Sequence, residues 1–328
     1  MITAAYLAGV LLASQAVMWA LLRARWTWRA TRTAILTWQA VGLAWALSAV
    51  GIPLAIGLEP YGRGVLGALP AFAADAARGQ LPAPGRLAAI CLGLLLGVLF
   101  VATHVTSLVQ AIRTRARHRA LLALVARRDA ATPDVFVLDH PAAAAYCLPG
   151  LRSTVVVSAG ALALLDRAEL AAVLSHERAH ALERHDLVLL PFTALCRFIE
   201  LCRWIARRPV RSAPRWPRSA YEAVALLIEM RADDRALRQH GAGRLAAALQ
   251  RFAATGVAAP AGALGVVGSG DGFGGAAVGG RTDDHLAMRI ERVRELQRGR
   301  SAWLARALAV YALSVALVLL ATPIYLLG

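Results

Sequence analysis

Four stretches of the chain are almost uninterruptedly apolar: Ile2–Leu22, Ala34–Gly57, Leu87–Ile112 and Trp303–Leu327. Each holds about 20 residues or more, enough for a helix to cross roughly 30 Å of hydrocarbon, so each is predicted as a transmembrane helix. The first lacks a basic leader and a small-residue cleavage site, so it is expected to be a retained span. Between the third and fourth windows the pattern changes. "PDVFVLD" and "STVVVSAG" are short β-branched runs bounded by Pro, Asp and Gly, which predicts strands. "AAAAYCLPG", between them, is expected as an edge strand closed by Pro149 and Gly150. A helix should begin at Asp166, where Glu169 stands at the capping-box position. A second is expected from Ser219, with Glu222 in the same relation, and runs through "EAVALLIEMRADDRALRQH". Gly256–Gly280 is rich in Gly and Ala and is expected as a loop or linker, followed by a last helix, "TDDHLAMRIERVREL". The predicted fold class is α+β and mostly α-helical. Residues 1–113 carry three spans, 114–301 form one domain with a small β-sheet, and 302–328 form the fourth span.

Composition agrees with this pattern: 58% of the residues are hydrophobic and the mean hydropathy is +0.55, high for a soluble domain of this length. The formal net charge is +16, and every basic residue is Arg. The arginines cluster beside the apolar windows. Arg23, Arg25, Arg29 and Arg32 separate the first two; Arg113, Arg115, Arg117, Arg119, Arg127 and Arg128 follow the third; Arg292, Arg294, Arg298 and Arg300 precede the fourth. The loop Leu58–Gly85 has only Arg63 and Arg78, offset by Glu59 and Asp75. The positive-inside rule then predicts a multi-pass cell-membrane protein with both termini outside and Thr114–Ser301 in the cytoplasm. Membrane orientation explains the charge, and no direct nucleic-acid partner is expected. Cys91, Cys147, Cys196 and Cys202 form no C-x-x-C pair and are assigned neither bridge nor metal.

The chemistry centres on "AVLSHERAHALERHD", Ala172 to Asp186. His176 and His180 stand four apart, so both imidazoles leave one helix face and can meet a common ion. Glu177, about a third of a turn from His176, can reach a water there without being a ligand. Zinc hydrolysis needs this set: ligands that leave one position open, and a carboxylate to take the water's proton. The rival reading is a charged helix face that happens to carry histidines. Two features favour the metal. The motif lies on a capped, apolar helix, and "IEMRADD" supplies Glu229 as a third ligand, with Asp233 on the same face to hold a ligand histidine. Glu183 and Asp186 stand where the metzincin pattern needs Gly and His, which excludes that class. Leu187–Ala206 is apolar enough to suggest a fifth span, but a single crossing there would put His176 and Glu229 on opposite sides of the bilayer. Arg197, Glu200 and Arg203 recur within it at helical spacing, so it is predicted as an interfacial amphipathic helix or a re-entrant pair. His185 is expected at the surface or behind a ligand. Tyr221, His240, His285 and Arg289 are open candidates for the donor to the developing oxyanion.

The order of "YCLPG", "STVVVSAG", a helix with H-E-x-x-H followed by R-H-D, and then E-x-x-A-D resembles the membrane-bound gluzincin peptidases. It is most similar to the M56 group of BlaR/MecR type, with the M48 group (HtpX and CAAX-protease relatives) as nearest neighbour. The resemblance covers roughly Arg113–Glu295. It implies a cytoplasmic zinc metalloprotease domain in which His176, His180 and Glu229 bind Zn²⁺, Glu177 is the general base and Asp233 orients a ligand. It also implies a protein or peptide substrate: a transcriptional repressor or the chain itself for M56, membrane proteins under quality control for M48. In M56 sensors a Cys usually precedes the Asp of the third-ligand motif; here it is Ala232, as in M48. With no penicillin-binding segment after the fourth window, direct β-lactam sensing is not expected, and a separate sensor partner or the spans themselves would supply the signal. The alternative from another class is a non-catalytic membrane transducer with a structural zinc site. Glu177 argues against it, because a structural site has no use for a base.

Overall fold

The computed structural model describes residues 1–62, 64–128, 135–148, 154–207, 216–255, 264–265, 285, 287–293 and 303–328. Helix α1 (Ile2–Arg23), α2 (Thr31–Gly57), α4 (Pro84–Val125) and α11 (Trp303–Leu327) contain the four predicted windows, and all four are long and apolar enough to cross a membrane. At 42 residues α4 extends about 63 Å, roughly twice the hydrocarbon thickness. The arginine-rich stretch Arg113 to Arg119 after the third window therefore continues the same helix. Helix α3 (Gly64–Ala77) lies in the loop between the second and third windows.

The chain divides into two units. The first holds Met1–Thr106, Pro191–Ala223 and Trp303–Gly328. In it α1, α2 and α11 pack together, and Leu7, Leu54, Val65, Ala68 and Ile90 form a buried cluster. Gly57 permits the approach of α2 to α4: a Cβ there would lie 2.4 Å from Ile90 Cγ1. Leu92, Val98, Val101 and Val105 on α4 stay exposed, an uncovered apolar face that suits lipid rather than water. The segment left between interface and re-entrant pair falls in helix α7 (His185–Ile205). Within this unit Phe192 meets α2 at Gly42, and Phe198 packs edge-on to Phe100 of α4 at 5.6 Å. Helix α8 (Trp216–His240) sets Trp216 edge-on to Trp45 at 4.9 Å between ring centroids. The far ends of α7 and α8 thus lie against the apolar helices α2 and α4. Helix α8 begins three residues before the expected Ser219. Pro217 in the first turn is favourable there, because its missing N–H has no partner in a helix start anyway.

The second unit holds Ser107–Leu190 and Val224–Ala302. Its sheet comprises β1 (Ala126–Arg128), β2 (Val135–Leu138), β3 (Ala145–Leu148), β4 (Thr154–Ser158) and β5 (Leu264–Gly265), in the order β1-β2-β4-β3-β5. β2 and β4 are parallel and the other pairs antiparallel. Period-two alternation builds two cores from β4. Val155 and Val157 join Ala172 and Val173 of helix α6 (Arg167–Leu182) and Leu245, Leu249 and Phe252 of α9 (Ala242–Thr255). Val156 turns the other way, to Tyr146, Leu148 and Leu122 of α4. Helix α5 (Ala159–Leu164) links β4 to α6, and the residues 285 and 287–293 are helical and are labelled α10. Gly160 is obligatory in this link, since a Cβ there would lie 2.0 Å from the Pro141 carbonyl oxygen.

One expectation is corrected. β3 is not an edge strand: Cys147 pairs with Leu264 and Tyr146 with Gly265, so β5 covers its outer side. A two-residue strand in a Gly/Ala-rich stretch shows no alternation by which it could be foreseen. Most of Gly256–Gly280 otherwise lies outside the described residues.

Candidate metal centre

Helix α6 starts as the capping box predicts. Asp166 Oδ1 accepts from the Ala168 and Glu169 N–H groups at 2.8 Å, and Glu169 Oε2 accepts from the Asp166 N–H at 3.0 Å. The helix then buries Ala172 and Val173 on the sheet, and one to two turns further along the same face it carries His176 and His180, both 0% exposed. Helix α8 brings up Glu229 and Asp233, which share a face because they are four residues apart.

Three donor atoms converge. His176 Nε2 lies 3.0 Å from His180 Nε2 and 3.4 Å from Glu229 Oε2, and His180 Nε2 lies 3.5 Å from Glu229 Oε1. Tetrahedral zinc with bonds of about 2.0–2.1 Å spaces its ligand atoms about 3.3 Å apart. The donor set fits that ion in type as well as spacing: two imidazoles and a carboxylate. Charge points the same way. Buried Glu177, Glu229 and Asp233 all act on the buried Arg289 guanidinium, an acidic surplus that favours a further cation among the donors.

Each of the three donors is oriented from behind. Asp233 Oδ1 stands 3.0 Å from His176 Nδ1, which holds the ring with Nε2 forward. Arg289 from α10 clamps both acids: Nε and Nη2 reach Asp233 at 2.8 and 2.6 Å, and Nη1 reaches Glu229 Oε2 at 3.1 Å. His180 has its own partner, His185, at 2.9 Å between the Nδ1 atoms. With His180 Nε2 facing the other donors, its Nδ1–H donates to His185 Nδ1. The Nε2–H of His185 then points to Glu183 Oε2 at 3.5 Å. Glu183 in turn accepts from Arg231 Nε at 2.9 Å.

Titration follows from these contacts. Burial opposes the charged form of His176, but hydrogen bonds to Asp233 and Glu229 outweigh it and hold the ring at about 9. His180 goes well below its ordinary value, first by burial and then by the neighbouring charge of His176. Burial also works against the Glu229 carboxylate, yet His180, Arg289 and His176 together lower it to about 2. A proton or a cation among these donors is thus strongly favoured. Glu177 is buried, close enough for its charge to act on Arg289 and on the Cys147 thiol, which burial pushes well up.

Residues 111–240 match the model of Peptidase family M48. The match supports a membrane metallopeptidase, and its range contains His176, Glu177, His180, Glu229 and Asp233 but ends before Arg289. It is to M48, the neighbour group of the sequence reading, rather than to M56. No solved structure matches the chain.

The four residues left open as oxyanion donors separate in the structure. Arg289 is committed to Asp233 and Glu229. His240 lines a cavity of about 300 Å³ with Ser175, Arg178, Arg235 and Gln239, apart from the three donors. Tyr221 falls in the first unit, and His285 is itself a helical residue of α10. His185, expected at the surface or behind a ligand, is buried against His180. Glu183 and Arg231 carried no signal in the sequence, since an acid and an arginine 48 residues apart mark nothing by spacing.

Proposed function

We propose that the chain is an integral-membrane zinc endopeptidase. The observation that carries this reading is the convergence of His176, His180 and Glu229 at tetrahedral spacing with a buried glutamate, Glu177, adjoining in sequence. Bound at these three residues, Zn²⁺ supplies a Lewis acid that polarises a carbonyl and brings the pKa of water towards neutrality. Glu177 takes a proton from the attacking water at its carboxylate. It returns that proton to the amine nitrogen as the peptide C–N bond breaks. Asp233 and His185 keep the two imidazoles in the tautomer with Nε2 free, and Arg289 keeps Asp233 and Glu229 ionised. An extended substrate that pairs with β3 must displace β5.

For substrate, the M48 match and Ala232 before Asp233 favour membrane proteins cleared in quality control, with the catalytic domain cytoplasmic and both termini outside. The arginine clusters support that topology. The M56-like alternative, cleavage of a cytoplasmic repressor, rests on motif order. Comparing protein N-termini in cells expressing wild type or Glu177→Gln tests both. New N-termini in membrane proteins, present only with wild type, are the expected result. A single cut repressor would move the reading to signalling. Identical profiles, with zinc bound in both proteins, would refute catalysis and favour the structural-zinc transducer.

A further inference from the structure

The turn between α6 and α7 is built unlike an ordinary helix–helix connection. Of its four consecutive residues, Glu183 to Asp186, one is strained and the other three are held by contacts. Glu183 is held by Arg231 of α8 at 2.9 Å. Asp186 is held by Arg115 of α4 at 2.7 Å, with both side chains largely buried. Between them Arg184 adopts φ 48°, the left-handed region that costs an L-residue free energy and that Gly or Asn normally fills. The outcome of this bend is the placement of His185. In a continuous helix a residue five positions after His180 would point well away from it. Here its ring is turned back to 2.9 Å from His180 Nδ1 and is 2% exposed.

We infer that Arg115, Asp186, Glu183 and Arg231 form a two-sided clamp that holds the strained turn, and through His185 holds His180 in position to bind the metal. These are positioning residues; none touches the donor atoms. The clamp rests on the zinc reading proposed above. A left-handed Arg persists only where its surroundings over-determine it. Two ion pairs from different helices, one on each side of the strained residue, supply that determination. A single surface pair would contribute little. Asp186 with Arg115 is not such a pair, because its charges are mostly withdrawn from water and one of them directly follows His185 in sequence. Residues behind a metal-ligating histidine typically change metal affinity by about 10–100-fold when removed.

The test uses the full chain in detergent, titrated with Zn²⁺ against a chromophoric chelator, alongside thermal unfolding of the zinc-free protein. Arg115→Gln, Asp186→Asn and Arg231→Gln should each weaken zinc binding about tenfold or more while the zinc-free protein still unfolds cooperatively. The exchange pair Arg115→Asp with Asp186→Arg should recover most of the affinity, which a merely space-filling role would not predict. Zinc held by the wild type and equally by all three single variants would overturn the clamp and leave the metal site standing. A wild type that binds no zinc would remove the metal site and the clamp with it. Should Asp186→Asn fail to fold, the exchange pair and Arg231→Gln decide: unchanged affinity in Arg231→Gln, or none recovered by the exchange pair, overturns the clamp.

Discussion

Arg289→Met removes a charge that the second unit needs even before any chemistry occurs. The guanidinium makes three contacts of 2.6, 2.8 and 3.1 Å to Asp233 and Glu229, and it is 4% exposed. Met fills similar space along the stem but leaves two buried carboxylates without their cation. Removing one partner of a buried ion pair costs about 3–5 kcal/mol, because the remaining charge stays desolvated. With zinc bound the loss should be smaller, since a divalent ion also compensates Glu229. The measurement therefore belongs on chelator-treated protein. Tryptophan fluorescence would miss it: Trp19, Trp26, Trp28, Trp38, Trp45, Trp204, Trp216 and Trp303 all lie in the first unit. Amide hydrogen exchange read on peptides from α6 and α8 reports the right place. A loss of about 3–5 kcal/mol should speed exchange there by roughly a hundred- to a few-thousand-fold. Arg289→Lys should fall between, because a point charge cannot make the forked contact to Asp233. If Arg289→Met exchanges within threefold of wild type after zinc removal, the two acids are not held by Arg289 and the account of the site is wrong.

Gly160→Ala should destabilise the second unit by at least about 1–3 kcal/mol, as overpacking does, because its Cβ would meet a backbone carbonyl at 2.0 Å; a circular-dichroism melt within 2 °C of wild type would contradict this. Arg184→Gly should instead raise stability by about 1 kcal/mol, the reverse of the usual sign for glycine, since φ 48° is strained for arginine; a lower melting temperature would show the turn unstrained. Glu183 is penalised by burial, but Arg231 outweighs that and holds its carboxyl below the usual range. A folded value below the unfolded one means its contribution is complete above the unfolded value near 4.5 and fades as pH falls through the folded value. Melting temperature against pH should therefore drop less steeply below about pH 4.5 in Glu183→Gln than in wild type; parallel curves would refute the pairing.

What could be read in advance was whatever a short stretch of chain decides on its own. The four apolar windows, the Asp166 capping box and the His176/His180 pair depend on neighbours within a turn or on uninterrupted composition, so spacing alone placed them. Glu229 and Asp233 came from the same logic applied to a second helix, and only their approach to α6 needed the fold. The features that spacing could not place depend on turns or tertiary contacts that no repeating pattern marks. His185 reaches His180 because the chain leaves the helix at Glu183 and turns at a left-handed residue that is arginine rather than glycine, so nothing in the sequence marks the turn. β5 pairs with β3 over two residues, too few for any alternation to show. Arg289 stood out only as a candidate donor to substrate, and the fold spends it on Asp233 and Glu229 instead. The three candidate donors could thus be named from local geometry, whereas the groups that aim them are supplied by tertiary contacts. The substitutions that distinguish a working metal site from a chance H-E-x-x-H therefore lie at Arg115, His185, Arg231 and Arg289, where the helix pattern is silent.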